Sequence, residues 1–287
     1  MKKLINRLLP KKYRQTGISI PVVRLSGAIA SGGGPFRQNL SLASCAQLLD
    51  RAFEMKEAPA VALIVNSPGG SPAQSRLIYR RIRDLAEEKN KKVHVFVEDV
   101  AASGGYMIAV AGDDITVDPS SIVGSIGVIA AGFGFTGAIE KLGIERRVYT
   151  AGSNKSVLDP FSPEKESDIE HLKSLQREIH QTFIDLVKEA RGDKLVDHPD
   201  LFTGQFWTGT TALEMGLVDA IGDIRATLKA KYGAKTKLSL VEPKRGLLGR
   251  RAQGVAVETL GAQLGHQIAD GALSAVEERA LWARYGL

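Results

Sequence analysis

The chain has 287 residues, of which 44% are hydrophobic and 24% are charged, the composition of an ordinary globular protein. Its length permits a sizeable core, and its single cysteine, Cys45, excludes an intramolecular disulfide framework. The net charge is +6, but six basic residues lie within the first fourteen positions, which contain no acidic residue. Because the excess is local, we do not expect a nucleic-acid-binding protein with a basic face.

The hydrophobic patterns, taken in chain order, predict strands and helices in alternation. Apolar, β-branched runs predict strands at residues 18–25, 60–66, 93–97, 115–117, 126–130, 146–150 and 237–241. Helical periodicity predicts helices at residues 42–56, 72–89, 106–111, 139–142, 163–191, 210–216 and 224–232. This alternation indicates an α/β fold of repeated βαβ units with a mostly parallel sheet.

The two ends of the chain differ in composition from the part between them. Residues 1–16 form a basic tail, residues 17–243 a folded domain, and residues 244–287 a basic, Gly-rich linker followed by an Ala-rich helical arm. The apolar stretch of the tail is too short and too interrupted for a signal peptide, and no run of about 18 apolar residues predicts a membrane-spanning helix. We expect a solvated tail, with peripheral contact to an anionic membrane as the alternative.

Ser103 is the first candidate for chemistry. It follows a predicted strand and opens a predicted helix, where free backbone N–H groups favour an anion. Gly104 and Gly105 would let a substrate approach the backbone closely. Taken alone, the segment fits a simple N-cap serine more readily, because that role is very common.

A second Gly-rich segment, residues 67–70 (Ser-Pro-Gly-Gly), also follows a predicted strand. Ligands of open α/β sheets bind at the carboxyl ends of the strands, and paired glycine N–H groups can form an oxyanion hole. An ordinary Gly-rich turn is the alternative.

A serine nucleophile needs a base, and lysine is the candidate here. His94 lies within the strand that leads to Ser103, and the other four histidines lie in the C-terminal half. In Ser-Lys pairs a neutral lysine takes the serine proton. Lys155 differs from the other lysines because its nearest neighbours are small or polar. A solvated loop lysine is the alternative. The histidines and the cysteine have no zinc-like spacing, so no metal is expected.

Five motifs in order resemble the signal peptide peptidase A family of serine proteases, which has a Clp protease/crotonase-like fold. They are Asn-Ser-Pro-Gly-Gly at residues 66–70, Asp-Val-Ala-Ala-Ser-Gly-Gly-Tyr at 99–106, Val-Gly-Ser-Ile-Gly-Val at 123–128, residues 149–155, and Gly-Leu-Val-Asp at 216–219. The resemblance extends over residues 18–241 and makes residues 17–243 a peptidase domain.

The resemblance implies a role for each matching residue. Ser103 would be the nucleophile and Lys155 the general base of a Ser-Lys dyad. Ser125 would hydrogen-bond the lysine, and the N–H groups of Gly70 and Gly104 would form the oxyanion hole. The implied activity is that of a serine endopeptidase that cleaves signal-peptide remnants or other unfolded or apolar peptides through an acyl-enzyme, without a cofactor.

The resemblance also implies a homo-oligomer, which the helical arm would support, or the arm would lie over an active site. Many members have a membrane anchor, and without one we expect a cytoplasmic protein, possibly peripheral at the inner membrane. Two other interpretations of the function are open. One is a non-catalytic scaffold that binds peptides or membrane. The other is a crotonase-type acyl-CoA enzyme, which would normally use Glu or Asp as its acid/base.

Overall fold

The computed structural model describes residues 17–32, 39–243 and 279–287. The basic tail, the linker and most of the C-terminal arm therefore lie outside the described residues. Strands and helices alternate over most of the described residues, and the predicted α/β fold with a mostly parallel sheet is confirmed.

Eight strands in the described part form one sheet. They are β1 Ser19–Ser26, β2 Ala60–Ser67, β3 Lys92–Ala102, β4 Asp114–Val117, β5 Ile122–Gly124, β6 Phe206–Thr208, β7 Ala220–Ile221 and β8 Lys237–Leu240. The main order is β6-β5-β3-β2-β1-β8, and β4 pairs with both β3 and β7. Every pair is parallel except β5 with β6.

Seven α-helices accompany these strands between residues 39 and 243. They are α1 Leu42–Phe53, α2 Pro72–Lys89, α3 Gly104–Ala109, α4 Thr136–Lys141, α5 Glu166–Arg191, α6 Gly209–Glu214 and α7 Ile224–Tyr232. Serine side chains cap α1 and α2: Ser41 accepts a hydrogen bond from Ser44 N–H, and Ser71 accepts one from Gln74 N–H. These caps satisfy donors that the first turn leaves free, and so fix where each helix begins.

The sheet buries both of its faces, which explains why its central strands are continuously apolar. Alternate residues of β1, β2 and β3 pack against α1, α2, α3 and α5 in the main core. The intervening residues pack against α7 through Leu228. Farther along the same strands, Val100 and Ala102 pack with Tyr285 of the C-terminal segment, residues 279–287. The C-terminal segment therefore lies against the end of β3, next to Ser103.

Two predicted strands are absent from the described structure, each for a local reason. No strand forms at residues 126–130. The strand in this part of the chain is β5, which lies earlier and ends at Gly124. Ser125 follows with a φ of 54°, and its carbonyl accepts a hydrogen bond from Gly127 N–H, so the chain turns away from the sheet there. Residues 146–150 form no strand because they are exposed and pair with no other strand in the described part.

Candidate active site

Ser103 lies in a strained turn between β3 and α3. Its φ is 52° and its ψ is −122°, a region that residues other than glycine rarely adopt. Two backbone hydrogen bonds hold it there: its N–H donates to the Gly124 carbonyl at 2.8 Å, and its carbonyl accepts from Met107 N–H at 3.0 Å. Ser103 occupies the N-cap position, yet its side chain makes no capping hydrogen bond. Its hydroxyl is therefore not used to cap the helix.

Close contacts around the turn require glycine at the neighbouring positions. A Cβ added to Gly69 would lie 2.8 Å from the Ser103 Cβ, and one added to Gly104 would lie 2.3 Å from the Ser75 Oγ. A side chain at position 69 would displace Ser103, and one at position 104 would displace Ser75 of α2. These glycines therefore have a packing role as well as a possible chemical one.

The Gly70 loop is held against Ser103 by Ile29. Ile29 N–H donates to the Gly69 carbonyl at 2.8 Å, and Ser71 N–H donates to the Ile29 carbonyl at 2.7 Å. Gly70 has a φ of 140°, and a Cβ there would lie 2.1 Å from the Ile29 carbonyl oxygen. Backbone contacts thus fix the loop without using the outer face of Gly70, which is exposed.

A narrow cleft brings together Ser103 and both predicted oxyanion glycines. Gly127 also lines the cleft. The rest of the described lining is apolar and consists of Pro72, Met107, Val128, Ile179 and Phe183. The cleft volume is about 10 Å³, close to the smallest space that holds one water molecule. A peptide side chain would therefore enter only after the walls move apart.

Ser125 is buried beside this cleft, in the turn that follows β5. Its φ is 54°, and its N–H donates to the Gln205 carbonyl at 2.7 Å. Ser125 is 5% exposed, and its Oγ accepts a hydrogen bond from the Tyr285 hydroxyl at 3.2 Å. The predicted lysine-orienting hydroxyl therefore has a partner from the C-terminal segment.

Lys155 lies apart from the other predicted site residues. It is exposed, in a turn where its N–H donates to the Gly152 carbonyl at 3.2 Å. It is not among the described residues that line the Ser103 cleft. Within one chain, the structure thus groups Ser103 with Gly70 and Gly104, and leaves Lys155 outside the group.

The Gly-Leu-Val-Asp motif at residues 216–219 anchors helices that surround the cleft. Tyr106, in α3, donates to the Leu217 carbonyl at 2.7 Å. Arg191, at the end of α5, is 4% exposed and donates to Asp219 at 2.8 Å. Burial alone would raise the pKa of Asp219, but hydrogen bonds from Arg191 and Lys194 outweigh it and hold the pKa below its ordinary value. The motif has a structural role, since it holds the end of α5, and α5 supplies two residues that line the cleft.

Sequence reasoning missed two further residues near the site. His180, in α5, contacts the Ile126 carbonyl through Nε2 at 3.0 Å, so this nitrogen carries the proton. Tyr285 bonds to Ser125 across 160 positions of sequence. No local pattern marks either contact, because each joins elements far apart in the chain. His94, by contrast, is buried between Asp114 and Tyr232, which agrees with its exclusion as a catalytic base.

Comparison with known proteins identifies relatives over most of the chain. The model of peptidase family S49 matches residues 86–237. The chain is 32% identical to the chloroplastic serine protease SPPA of Arabidopsis thaliana over 79% of this chain and 34% of that protein. It is 33% identical to protease 4 of Salmonella typhi over 79% of this chain and 36% of that protein.

A more similar protein has a different name. The chain is 62% identical, over 99% of its length, to a Brucella abortus protein named Na⁺/H⁺ antiporter NhaA. The chain spans only 39% of the length of that relative. Because the family match covers more than half of this chain and includes Ser103 and Lys155, the resemblance inferred from the five motifs is confirmed: the chain belongs to peptidase family S49.

Proposed function

We propose that the protein is a serine endopeptidase in which Ser103 is the nucleophile. One observation carries the proposal: a strained serine without a capping bond lines the same cleft as Gly70 and Gly104. Nucleophile and oxyanion donors must face one reacting carbonyl, and this cleft brings the candidates together. Family membership supports the same reaction class.

In the proposed mechanism, neutral Lys155 takes the Ser103 proton as Oγ attacks the peptide carbonyl. The N–H groups of Gly70 and Gly104 stabilise the negative charge that develops on the carbonyl oxygen. Protonated Lys155 then gives its proton to the leaving amine, and water hydrolyses the acyl-enzyme that remains on Ser103. Ser125 accepts a hydrogen bond from the lysine amine and so directs its lone pair toward Ser103.

The proposed substrates are peptides with apolar side chains in an extended conformation, including remnants of signal peptides. The apolar lining of the cleft supports this class. A charged substrate side chain placed against Met107, Ile179 and Phe183 would lose its hydration without gaining a polar partner. The small cleft volume favours flexible peptides over folded proteins, since the substrate must enter as the walls separate.

The proposed active form is a homo-oligomer. Large hydrophobic residues are exposed on both sides of Lys155, at Ile129, Phe133, Phe135, Leu142, Ile144, Tyr149 and Phe161. Monomeric proteins rarely expose so many apolar residues in one segment, so a second copy of the chain is a fitting cover. In such an assembly, Lys155 of one copy would approach Ser103 of its neighbour and complete the dyad.

A position at a membrane surface is part of the proposal. No helix in the described residues has the length and apolar character needed to cross a bilayer. The basic tail, outside the described residues, would supply attraction to anionic lipids.

Labelling with a fluorophosphonate probe, together with cleavage of an unfolded apolar peptide, tests the proposal. We expect labelling and cleavage in the wild type and neither in Ser103→Ala, while Lys155→Ala loses both by a large factor. Lys229→Ala is a matched control, because Lys229 is an exposed lysine of α7, on the other face of the sheet. Labelling that survives Ser103→Ala would refute the nucleophile, and an inactive wild type that still binds peptides would favour the scaffold reading.

Mixing the two inactive variants tests the shared dyad. A mixed assembly of Ser103→Ala and Lys155→Ala chains contains some sites with both residues intact if neighbours supply the lysine. We expect activity to reappear on mixing. If the lysine acts within its own chain, the mixture would stay inactive although the variants co-assemble.

A further inference from the structure

The C-terminal segment contributes a hydroxyl group to the proposed site. The Tyr285 hydroxyl lies 3.2 Å from the Ser125 Oγ and 3.5 Å from the Pro68 carbonyl oxygen. Pro68 follows β2 and leads into the Gly70 loop, whereas Ser125 follows β5. One phenol group therefore touches both segments that flank the Ser103 turn.

The Tyr285 ring is held firmly enough to fix its hydroxyl. Tyr285 is 8% exposed and packs against Val100 and Ala102, the last residues of β3 before Ser103. The Phe206 ring meets it edge-on, with the ring centroids 5.0 Å apart. Phe206 lies on β6 opposite Gly124, the residue before Ser125. The same strands that hold the Ser103 turn thus hold Tyr285.

The chemistry of a Ser-Lys pair suggests how the contact between Tyr285 and Ser125 affects catalysis. When a neutral lysine acts as a base, its lone pair must face the nucleophile, so its N–H groups need acceptors. Ser125 Oγ is an acceptor toward the lysine only if its own hydrogen points elsewhere. The Tyr285 hydroxyl donates to one lone pair of Ser125 Oγ at 3.2 Å, and the second lone pair of that oxygen can accept from the lysine. Ser125 Oγ then accepts from both the Tyr285 hydroxyl and the lysine amine.

We propose that Tyr285 is a positioning residue that orients the Ser125 hydroxyl as an acceptor for the catalytic lysine. This inference rests on the proposed function, and it assigns the C-terminal segment a part in catalysis. Tyr285 touches neither substrate nor nucleophile in this scheme, and its whole effect passes through Ser125.

The test compares Tyr285→Phe, Ser125→Ala and the double variant in the full-length protein. Phenylalanine keeps the ring packing and removes only the hydroxyl. The matched control is Tyr232→Phe, because the Tyr232 hydroxyl also makes a partly buried hydrogen bond, to His94, away from the cleft. Peptide-cleavage kcat and KM and the rate of fluorophosphonate labelling are measured from about pH 7 to 10, the range in which a catalytic lysine titrates.

We expect Tyr285→Phe to lower kcat by about 3- to 10-fold, the loss that one oriented hydrogen bond predicts, with KM unchanged. The acidic limb of the pH profile should shift, and the double variant should be no slower than Ser125→Ala alone. Tyr232→Phe should leave kcat and the pH profile as in the wild type.

Three results would overturn the inference. Wild-type kinetics in Tyr285→Phe would show that the hydroxyl has no role. Faster labelling would show that the C-terminal segment covers the site rather than supporting it. A double variant slower by the product of the two single effects would show that Tyr285 does not act through Ser125. An inactive wild type would instead refute the proposed function itself, before any variant is compared.

Discussion

Gly69 offers a sharp test of how backbone packing positions the nucleophile. Its φ is 100°, and a Cβ there would lie 2.8 Å from the Ser103 Cβ and 2.8 Å from the Ala102 carbonyl oxygen. Gly27 has the same φ of 100°, but nothing lies within 4 Å of its Cβ position. Replacing each by alanine therefore imposes similar backbone strain, and only Gly69→Ala adds the contact with Ser103.

The two variants should differ by the cost of that contact. A non-glycine residue in this conformation lowers the free energy of unfolding by about 1–3 kcal/mol, and this loss is common to both variants. Overpacking adds about 1–3 kcal/mol for Gly69→Ala alone. Ordinary contact begins at 3.4 Å, so Ser103 must move by about half an ångström. A displacement of this order at a nucleophile reduces the rate about 10-fold or more, since about 1 Å can cost 100-fold.

Urea unfolding and fluorophosphonate labelling measure the two effects separately. We expect Gly69→Ala to unfold at lower urea than Gly27→Ala, with the same m-value, and to label more slowly. Gly27→Ala should label at the wild-type rate once both are compared below their unfolding transitions. Equal stability and equal labelling in the two variants would refute the conclusion that Gly69 has to be glycine because Ser103 lies against it.

Two further predictions concern stability and thiol reactivity. Because the pKa of Asp219 is lowered in the folded protein, its contribution to stability is present above the unfolded-state value of about 3.9 and is lost as the pH falls through the lower folded value. Asp219→Asn should therefore lower the free energy of unfolding by about 3 kcal/mol at pH 7, and flatten its fall at acidic pH; equal acid slopes in the two proteins would contradict this. Burial raises the pKa of Cys45 to about 12, so iodoacetamide at pH 8 should modify the thiol only after unfolding in urea, and rapid modification of the native protein would contradict the burial.

The sequence alone predicted the parts of this protein that local patterns determine. Continuous apolar runs identify β1, β2 and β3 because both faces of a parallel sheet are covered. The Ser-Gly-Gly and Pro-Gly-Gly turns are visible because glycine marks close backbone approach, and the structure brings Ser103, Gly70 and Gly104 to one cleft. The order of the five motifs also sufficed to identify the family, since each lies within a few neighbouring residues.

Contacts between distant parts of the chain decided the rest. The antiparallel pairing of β5 with β6 joins segments more than 80 positions apart, which no local pattern encodes. The exposure of Lys155 depends on what packs over its segment, so a lysine with small neighbours in sequence is still exposed in the single chain. Tyr285 reaches Ser125 only because the sheet leaves Val100 and Ala102 open to the C-terminal segment. Sequence determines which residues can do chemistry, and tertiary packing determines which of them meet, because the free energy of burial belongs to the whole fold.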